Sequence, residues 1–250
     1  MTVLDPTAQH RFVKRLVEQL AGIPGVTAVA LGGSRATGTH APDSDWDFGL
    51  YYRGSIDVSA IRSLGYEGMV VEPGKWGRLV NGGAWLTVDG VRVDLLYRDI
   101  DVVAHWTAEA EAGSYERDHV KGFLAGMATY VLAGELALCR VLHGELPRPA
   151  FPPALRASAP PQWLGSALFS LDNASIFLAR GDRPGAVGLA LKGMVAGSQG
   201  ILAERGEWVL NEKRIIERAG LTDMAATVLD KPHDLAAALV SCSAALADRA

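Results

Sequence analysis

Two apolar runs near the start of the chain are typical of buried strands, and a glycine-rich turn separates them. The first run, VTAVAL, covers residues 26–31 and ends at Gly32-Gly33-Ser34. The second run, WDFGLYY, covers residues 46–52, with Asp45 immediately before it and Asp47 within it. Short apolar runs bounded by glycine favour strands. Because side chains alternate along a strand, both carboxylates are predicted to leave one face of a sheet.

The segment WLTVDGVRVDLLY predicts a β-hairpin, because two β-rich runs flank Asp89-Gly90, a turn dipeptide. In its second arm, Arg92, Asp94 and Leu96 are predicted to share one face, opposite the intervening apolar side chains. Between these regions, SIDVSAIRSL predicts a short helix and GMVVEP a third strand. A first helix is predicted from Asp5-Pro6, since an acid before a proline is a typical helix start.

The chain changes character after about residue 98, where strand signals fade and alanine, leucine and glycine dominate. A proline-rich segment, residues 144–162, predicts a loop or linker. The predicted helices, the fifth with Asn211 as its N-cap, cover 99–112, 114–143, 162–180, 185–205, 211–219 and 232–247. We therefore predict an α+β protein. Residues 1–113 form a mixed β-sheet with flanking helices, and residues 114–250 form a helical bundle.

Composition narrows the classes of function. The chain has 250 residues, a net charge of −4 and two distant cysteines. Binding to long nucleic acid normally needs a basic excess, so a polynucleotide partner is not expected. The N-terminus has no apolar segment of the secretory kind, and the longest apolar stretch, which Glu135 interrupts, is short for a membrane span. A cytoplasmic protein without a membrane partner is predicted.

The acids and the turn point to phosphate chemistry. Two carboxylates that lie close together repel each other unless a cation lies between them. Mg²⁺ takes oxygen ligands and commonly binds one or two carboxylates plus substrate phosphates. Glycine allows backbone N–H groups to approach a phosphate, and the Ser34 hydroxyl can donate as well. The pattern therefore predicts a metal site at Asp45 and Asp47, next to a phosphate site at Gly33 and Ser34.

At this point the sequence resembles a known family. Gly33-Ser34, ten residues and then Asp45-x-Asp47 resemble the signature of the polymerase-β-like nucleotidyltransferase superfamily. That group includes the aminoglycoside, lincosamide and minimal nucleotidyltransferases of bacteria. The family has a third carboxylate in an apolar setting on a later strand, and VRVDLLY supplies Asp94 in that setting. The resemblance covers about residues 26–98; the helical half resembles the antibiotic-modifying members only in broad character.

The resemblance implies a catalytic unit that transfers a nucleoside monophosphate from an NTP, here taken to be ATP. The phosphates would bind at Gly33 and Ser34, and Asp45 and Asp47 would hold two Mg²⁺ ions. Asp94 would complete one metal site and help to deprotonate the acceptor hydroxyl, which attacks the α-phosphorus as pyrophosphate leaves. Arg35 is either a further phosphate ligand or a solvent-facing arginine, and Ser34 alone could be no more than a helix cap.

The resemblance also implies functional residues in the helical half, where the family often supplies a lysine to the triphosphate and sometimes a glutamate as general base. Lys192 and Lys213 are the candidate lysines, each with a surface lysine as the alternative. Glu135 is the candidate base, with an ordinary helical glutamate as the alternative. His105-Trp106 and Trp163 are more simply explained by packing than by ligand binding.

Three functional hypotheses follow. The leading one is transfer of AMP to a hydroxyl of a small molecule, such as an antibiotic. The alternative is modification of a protein partner, by an antitoxin-like or regulatory AMPylation. A non-catalytic binding module is the third, and the presence of all three acids disfavours it. The resemblance also allows a homodimer, because some antibiotic-modifying relatives build their site across two subunits.

Overall fold

The computed structural model describes residues 5–230 and 234–249, and within them it divides into two compact units. The first unit contains the chain up to Thr107 together with Leu132–Ala150. The second contains Ala108–Val131 and the chain from Phe151 onward. These units place the short segment 132–150 with the sheet, whereas the predicted domains were divided once, after residue 113.

The secondary structure confirms the predicted α+β class, with a mixed sheet first and a helical region after it. The strands are β1 (Val26–Leu31), β2 (Trp46–Tyr52), β3 (Glu67–Val70), β4 (Gly83–Val88), β5 (Val91–Asp99), β6 (Arg117–Asp118), β7 (Met127–Ala128) and β8 (Arg140–His143). The helices are α1 (Pro6–Ala21), α2 (Gly33–Thr37), α3 (Val58–Ser63), α4 (Gly77–Val80), α5 (Ile100–Glu111), α6 (Val131–Leu138), α7 (Pro153–Ala179), α8 (Arg183–Glu204), α9 (Ile215–Ala219), α10 (Thr222–Asp230) and α11 (Leu235–Ala247).

The first unit is built on a six-stranded sheet with the order β3-β4-β5-β2-β1-β8. β2 and β5 pair in parallel, and the other neighbouring strands pair antiparallel. β1 and β2 occupy the predicted residues, and β4 and β5 form the predicted hairpin. Asp89 and Gly90 both have positive φ, 51° and 76°, as the two central residues of a type I′ turn require.

One face of this sheet forms the core of the unit and the other carries the polar residues. Val91, Val93 and Leu95 of β5 are at most 5 % exposed and belong to the core, together with α1 and α3. Arg92 and Asp94 alternate with them and lie on the opposite face. The alternation predicted for this arm is therefore confirmed, and it brings the acidic residues to the face away from α1.

The helix predicted over 114–143 is wrong. Gly122 and Gly126, which lie within that range, have positive φ values of 89° and 100°, a backbone conformation that a right-handed helix does not contain. The chain instead forms the small β6–β7 hairpin, then the short α6, and then β8. β8 pairs with β1 and completes the sheet of the first unit. A strand formed by RVLH was not expected from its sequence.

The linker predicted over residues 144–162 is only half correct, because α7 already begins at Pro153 and continues through Pro160 and Pro161. A proline inside a helix removes a hydrogen-bond donor and crowds the preceding turn, which made a loop the natural prediction. In the second unit this part of α7 is buried, with Leu155 and Trp163 at 0 % exposure, and α7 packs along α8. Burial of apolar surface outweighs the local cost.

The remaining helices follow the sequence more closely. α8 agrees with the prediction over 185–205 within two residues at each end. α8 is also the one described helix long and apolar enough to cross a membrane by length and composition, but 72 % of that stretch is buried within the structure. α9 begins only at Ile215, and the predicted N-cap Asn211 instead accepts a hydrogen bond from the Lys213 backbone N–H at 3.0 Å. Positions 232 and 233 of the last predicted helix lie outside the described residues.

Candidate functional site

The pairing of β2 with β5 brings two of the predicted metal ligands together. Asp47 is the register partner of Asp94, so their side chains lie on the same face of neighbouring strands. Asp45, two residues before Asp47, directly precedes β2, and Arg92 is two residues before Asp94. The sequence separates these acids by almost fifty residues, and the parallel pairing sets them about 5 Å apart at the backbone.

The turn after β1 lies directly against Asp47. The Gly32 N–H donates to the Asp47 carbonyl oxygen at 2.8 Å, which fixes the turn to β2. Gly33 begins α2 with φ of +58°, and a Cβ built on it would lie 1.9 Å from Oδ2 of Asp47. A side chain at this position is therefore strained by the positive φ and has no room unless the Asp47 carboxylate moves. The backbone of Gly33 and the Asp47 carboxylate share one small site, with the half-buried Ser34 next to them.

Replacing Gly33 with Ala tests this close approach. We expect Gly33→Ala to displace the Asp47 carboxylate and to lower the predicted nucleotidyl transfer at least about tenfold, since the added methyl meets a carboxylate oxygen. Gly32→Ala is the matched control, because its Cβ would meet Asp47 atoms only at 3.8 and 3.9 Å, an ordinary contact. Steady-state transfer rates of the two variants measure the difference. Equal losses in both would contradict the role given to Gly33.

Asp45 is held by an arginine of the neighbouring strand. Nε of Arg92 lies 2.6 Å from Oδ1 of Asp45 in an ion pair, with 58 % and 36 % of the two side chains exposed. This oxygen is shielded from solvent, and the Arg92 guanidinium is its ion-pair partner. Within residues 5–230 and 234–249, no three His, Cys, Asp or Glu side chains are arranged to hold a metal ion as they stand. The sequence pattern predicted that Arg92 shares a face with Asp94, but it did not predict the ion pair of Arg92 with Asp45.

Arg35 organises the loop that carries Asp45. Its Nε donates to the carbonyl oxygens of Ser44 and Asp45, both at 3.1 Å, and its Nη2 donates to the Ser44 oxygen at 2.7 Å. The guanidinium also lies over the Trp46 ring, 4.2 Å from its centroid. Burial lowers the pKa of Arg35, and the nearby carboxylates of Asp47 and Asp45 oppose this shift. The residue is therefore not a free surface arginine; its phosphate contact stays a prediction.

Glu135 belongs to the first unit and makes a two-point ion pair with Arg98 of β5. Nε and Nη2 of Arg98 donate to the two carboxylate oxygens at 2.5 and 2.7 Å. Arg98 is 5 % exposed; burial would lower the pKa of its guanidinium, but Glu135 raises it and the net shift is upward. Arg98 is four residues from Asp94 along β5, about 13 Å at the strand rise. Both oxygens of Glu135 are thus engaged, an arrangement that sequence alone did not indicate.

The two candidate lysines lie in the second unit in different environments. Half-buried Lys192 lines a cavity of about 570 Å³ with Arg117 and His119. Lys213 is exposed and lies in the turn before α9, so its predicted place in the first turn of a helix is wrong. The left-handed Arg214, φ 53°, delays the start of that helix. The role of either lysine at a triphosphate stays a prediction.

The aromatic candidates are packing residues. Trp163 is fully buried in the second unit, and its indole N–H donates to the Tyr130 hydroxyl at 2.8 Å. In the first unit, Trp106 is 9 % exposed and packs edge-on against His105, with the two ring centroids 4.7 Å apart. The simpler interpretations of these side chains account for their positions.

The fold and the paired acids define an α+β protein whose sheet places Asp47 opposite Asp94, beside a glycine turn. Residues 11–118 match the family model of the nucleotidyltransferase domain, so this part of the chain is similar to nucleotidyltransferase domains. The match spans less than half of the chain and includes Gly33, Ser34, Asp45, Asp47 and Asp94. The match supports a transferase of the general kind that moves a nucleoside monophosphate.

A solved structure is similar to the whole chain at low identity. This is a nucleotidyltransferase-like protein from Exiguobacterium sibiricum 255-15, with 11 % identity and a TM-score of 0.47. The similarity covers 96 % of this chain and 73 % of that one. No curated protein matches the sequence.

Proposed function

We propose that this protein transfers AMP from ATP to a hydroxyl of a small molecule such as an antibiotic, with release of pyrophosphate. One observation carries the proposal: Asp47 and Asp94 are register partners, and the side-chain-free Gly33 lies against Asp47. A phosphate can approach the backbone at Gly33 while its oxygens face the carboxylates. Nucleotidyl transfer needs these two features side by side.

The donor set fits a hard divalent cation. Asp45, Asp47 and Asp94 offer only carboxylate oxygens, and the shielded Oδ1 of Asp45 already binds a cationic group, the Arg92 guanidinium. These three residues would hold Mg²⁺, in a site of two ions, once Asp45 separates from Arg92. When bound, the ions neutralise charge on the phosphate oxygens and favour deprotonation of the acceptor hydroxyl.

Different residues of the site bind the phosphates, position the loop of Asp45 and accept the proton. The Gly33 N–H and the Ser34 hydroxyl bind and orient the phosphates, and Arg35 keeps the loop of Asp45 in place. Asp94 accepts the proton of the acceptor hydroxyl. The new bond joins the acceptor oxygen to the α-phosphorus, and the bond from that phosphorus to the pyrophosphate oxygen breaks. Glu135, with both oxygens bound to Arg98, is not needed as the base.

Transfer of label from ATP tests the proposal. The protein is incubated with ATP labelled on the α-phosphate, Mg²⁺ and separate aminoglycosides and lincosamides, and products are separated by chromatography. Label on an acceptor supports it, and so does its loss when Mg²⁺ is chelated. If ATP binds with Mg²⁺ but no small molecule is labelled, the antibiotic acceptor is wrong. Labelled proteins from a treated lysate would then favour the protein-modifying alternative.

The two lysines provide a further prediction. We expect Lys192→Met to raise the KM for ATP about tenfold, because a half-buried cation, here one that lines a cavity with Arg117, Asp118 and His119, binds phosphate more strongly than an exposed one. Lys213→Met is the matched control, with a predicted change below twofold, since that lysine is exposed in a turn. Initial rates over a range of ATP concentrations measure both. A larger effect at Lys213 would reverse the assignment.

A further inference from the structure

A stacked pair of tryptophans, one of them exposed, lies beside the acids on the face of the sheet that carries Asp94. Trp85 of β4 is 52 % exposed, although tryptophan is among the side chains that gain most from burial. Its ring stacks on that of Trp76, with centroids 4.8 Å apart and planes inclined by 27°. Trp85 is the register partner of Asp94, so the two side chains share a face. The pair therefore adjoins the third acid of the site.

Register pairing continues across four strands and defines what we call the cross-strand row. Its members are Asp47 of β2, Asp94 of β5, Trp85 of β4 and Met69 of β3. Neighbouring members lie about 5 Å apart at the backbone. Met69 is 44 % exposed, so the row changes from acidic to exposed and apolar within a single strand spacing.

The tryptophan pair is held in place by its surroundings. Gly83 lies two residues before Trp85 and has no side chain, and a Cβ there would lie 2.9 Å from Cζ3 of Trp76. The Trp76 ring can therefore lie across the strand at that point. The Trp76 backbone N–H also donates to the Asn81 oxygen at 3.1 Å, which closes the loop that carries it. Trp85 is thus supported on one side and open to solvent.

The order of residues across the sheet separates the two substrates. Gly33 lies against Asp47 at one end of the acids, and Trp85 lies next to Asp94 at the other. In an in-line displacement the attacking and leaving oxygens are on opposite sides of the phosphorus. If the phosphates bind at Gly33, the acceptor approaches from the side of Asp94 and Trp85.

We propose that Trp85, supported by Trp76, binds the acceptor, and that the acceptor is a hydroxylated molecule with a flat apolar ring face. This inference rests on the proposed function, because it takes the phosphates to lie at Gly33. A ring stacked on Trp85 extends toward Asp94, so a hydroxyl at its edge reaches the acid that accepts the proton. A flexible polyol without a ring gains no comparable contact.

Ligand-observed NMR tests whether Trp85 and Trp76 form a ring-binding platform, and it does not rely on nucleotidyl transfer. Saturation-transfer spectra are recorded with lincomycin, kanamycin and methyl β-glucoside as ring probes, and with sorbitol as the acyclic control. We expect at least one ring probe to receive saturation through its ring C–H protons and sorbitol to receive none. Trp85→Ala should raise the dissociation constant of that probe about tenfold, which is the typical contribution of ring stacking. Trp85→Phe should restore most of the lost affinity. Thr87→Ala, an exposed change on the same strand and face, should alter it less than twofold.

The outcomes separate this inference from the proposed function. If no ring probe depends on Trp85, the platform is wrong, whether or not transfer occurs. If the adenine protons of ATP are the ones that lose saturation in Trp85→Ala, the platform binds the nucleobase and the inference is overturned. Wild-type protein that shows ring contacts but no transfer contradicts the proposed function instead. If an acceptor is labelled, Trp85→Ala should raise the KM for that acceptor about tenfold. The KM for ATP should stay within twofold of the wild-type value.

Discussion

Asp47→Asn is expected to reduce nucleotidyl transfer at least about a hundredfold, while the protein stays folded. Asp47 is the central acid, in register with Asp94 and in contact with the Gly33 turn. The amide keeps the size of the side chain and removes the negative charge that a divalent cation requires, a loss of several kcal/mol in stabilisation of the transition state. The transfer rate at saturating ATP and Mg²⁺ is the measurement.

Asp89→Asn is the matched control for this substitution. Asp89 is an exposed aspartate in the turn of the β4–β5 hairpin with φ of 51°, a conformation that asparagine adopts readily. The same change of charge is made in the same unit, away from the acids. We expect a rate within twofold of the wild type. Full activity in Asp47→Asn, with an unchanged melting temperature, would show that this carboxylate holds no essential metal.

Glu135→Ala is expected to lower the free energy of unfolding by about 3–5 kcal/mol, because it leaves the Arg98 guanidinium buried without its partner. Urea unfolding, followed by tryptophan fluorescence, measures the change. Glu72→Ala breaks the pair of Glu72 with Arg62, whose side chains are about half exposed, and should cost no more than about 1 kcal/mol. The contrast between the two variants isolates the effect of burial.

The Glu135→Ala variant also decides between two roles for Glu135, structural partner and general base. As a structural partner of Arg98, its loss reduces stability, and a folded sample at low temperature keeps kcat within about threefold of the wild type. As a general base, its loss would reduce kcat by about a hundredfold or more without requiring a large change in stability. The double variant Arg98→Met, Glu135→Leu should recover part of the lost stability, since apolar side chains can replace a buried pair. A large loss of kcat in that stable double variant would contradict the structural role.

Local sequence patterns predicted the secondary structure of the first hundred residues well. β1 and β2 begin and end at the predicted residues, because each run is short, apolar and closed by glycine or acid. Asp89-Gly90 fixed the hairpin through the positive φ of both residues, and alternation then assigned Asp94 to the polar face. Signals of this kind act within a few residues and do not depend on distant packing.

Predictions failed where distant contacts outweighed local preference. Pro160 and Pro161 favour a break, yet the buried face of α7 carries the helix through them. The segment RVLH has no strong strand signal and becomes β8 because the edge of β1 offers unpaired backbone groups. Glu135 likewise looked like any helical glutamate, and its pairing with Arg98 depends on a residue 37 positions away.

The sequence by itself determined the residues on which the proposed chemistry depends: a glycine turn, two neighbouring acids and a third acid on a polar strand face, in an order that resembles a nucleotidyltransferase domain. The tertiary structure decided which residues meet. Parallel pairing of β2 with β5 set Asp47 opposite Asp94, and antiparallel pairing of β4 set Trp85 beside it. The physical reason is that residue type and alternation are properties of the local chain. Register between strands arises only when the sheet forms, because it is selected by the burial of the opposite face.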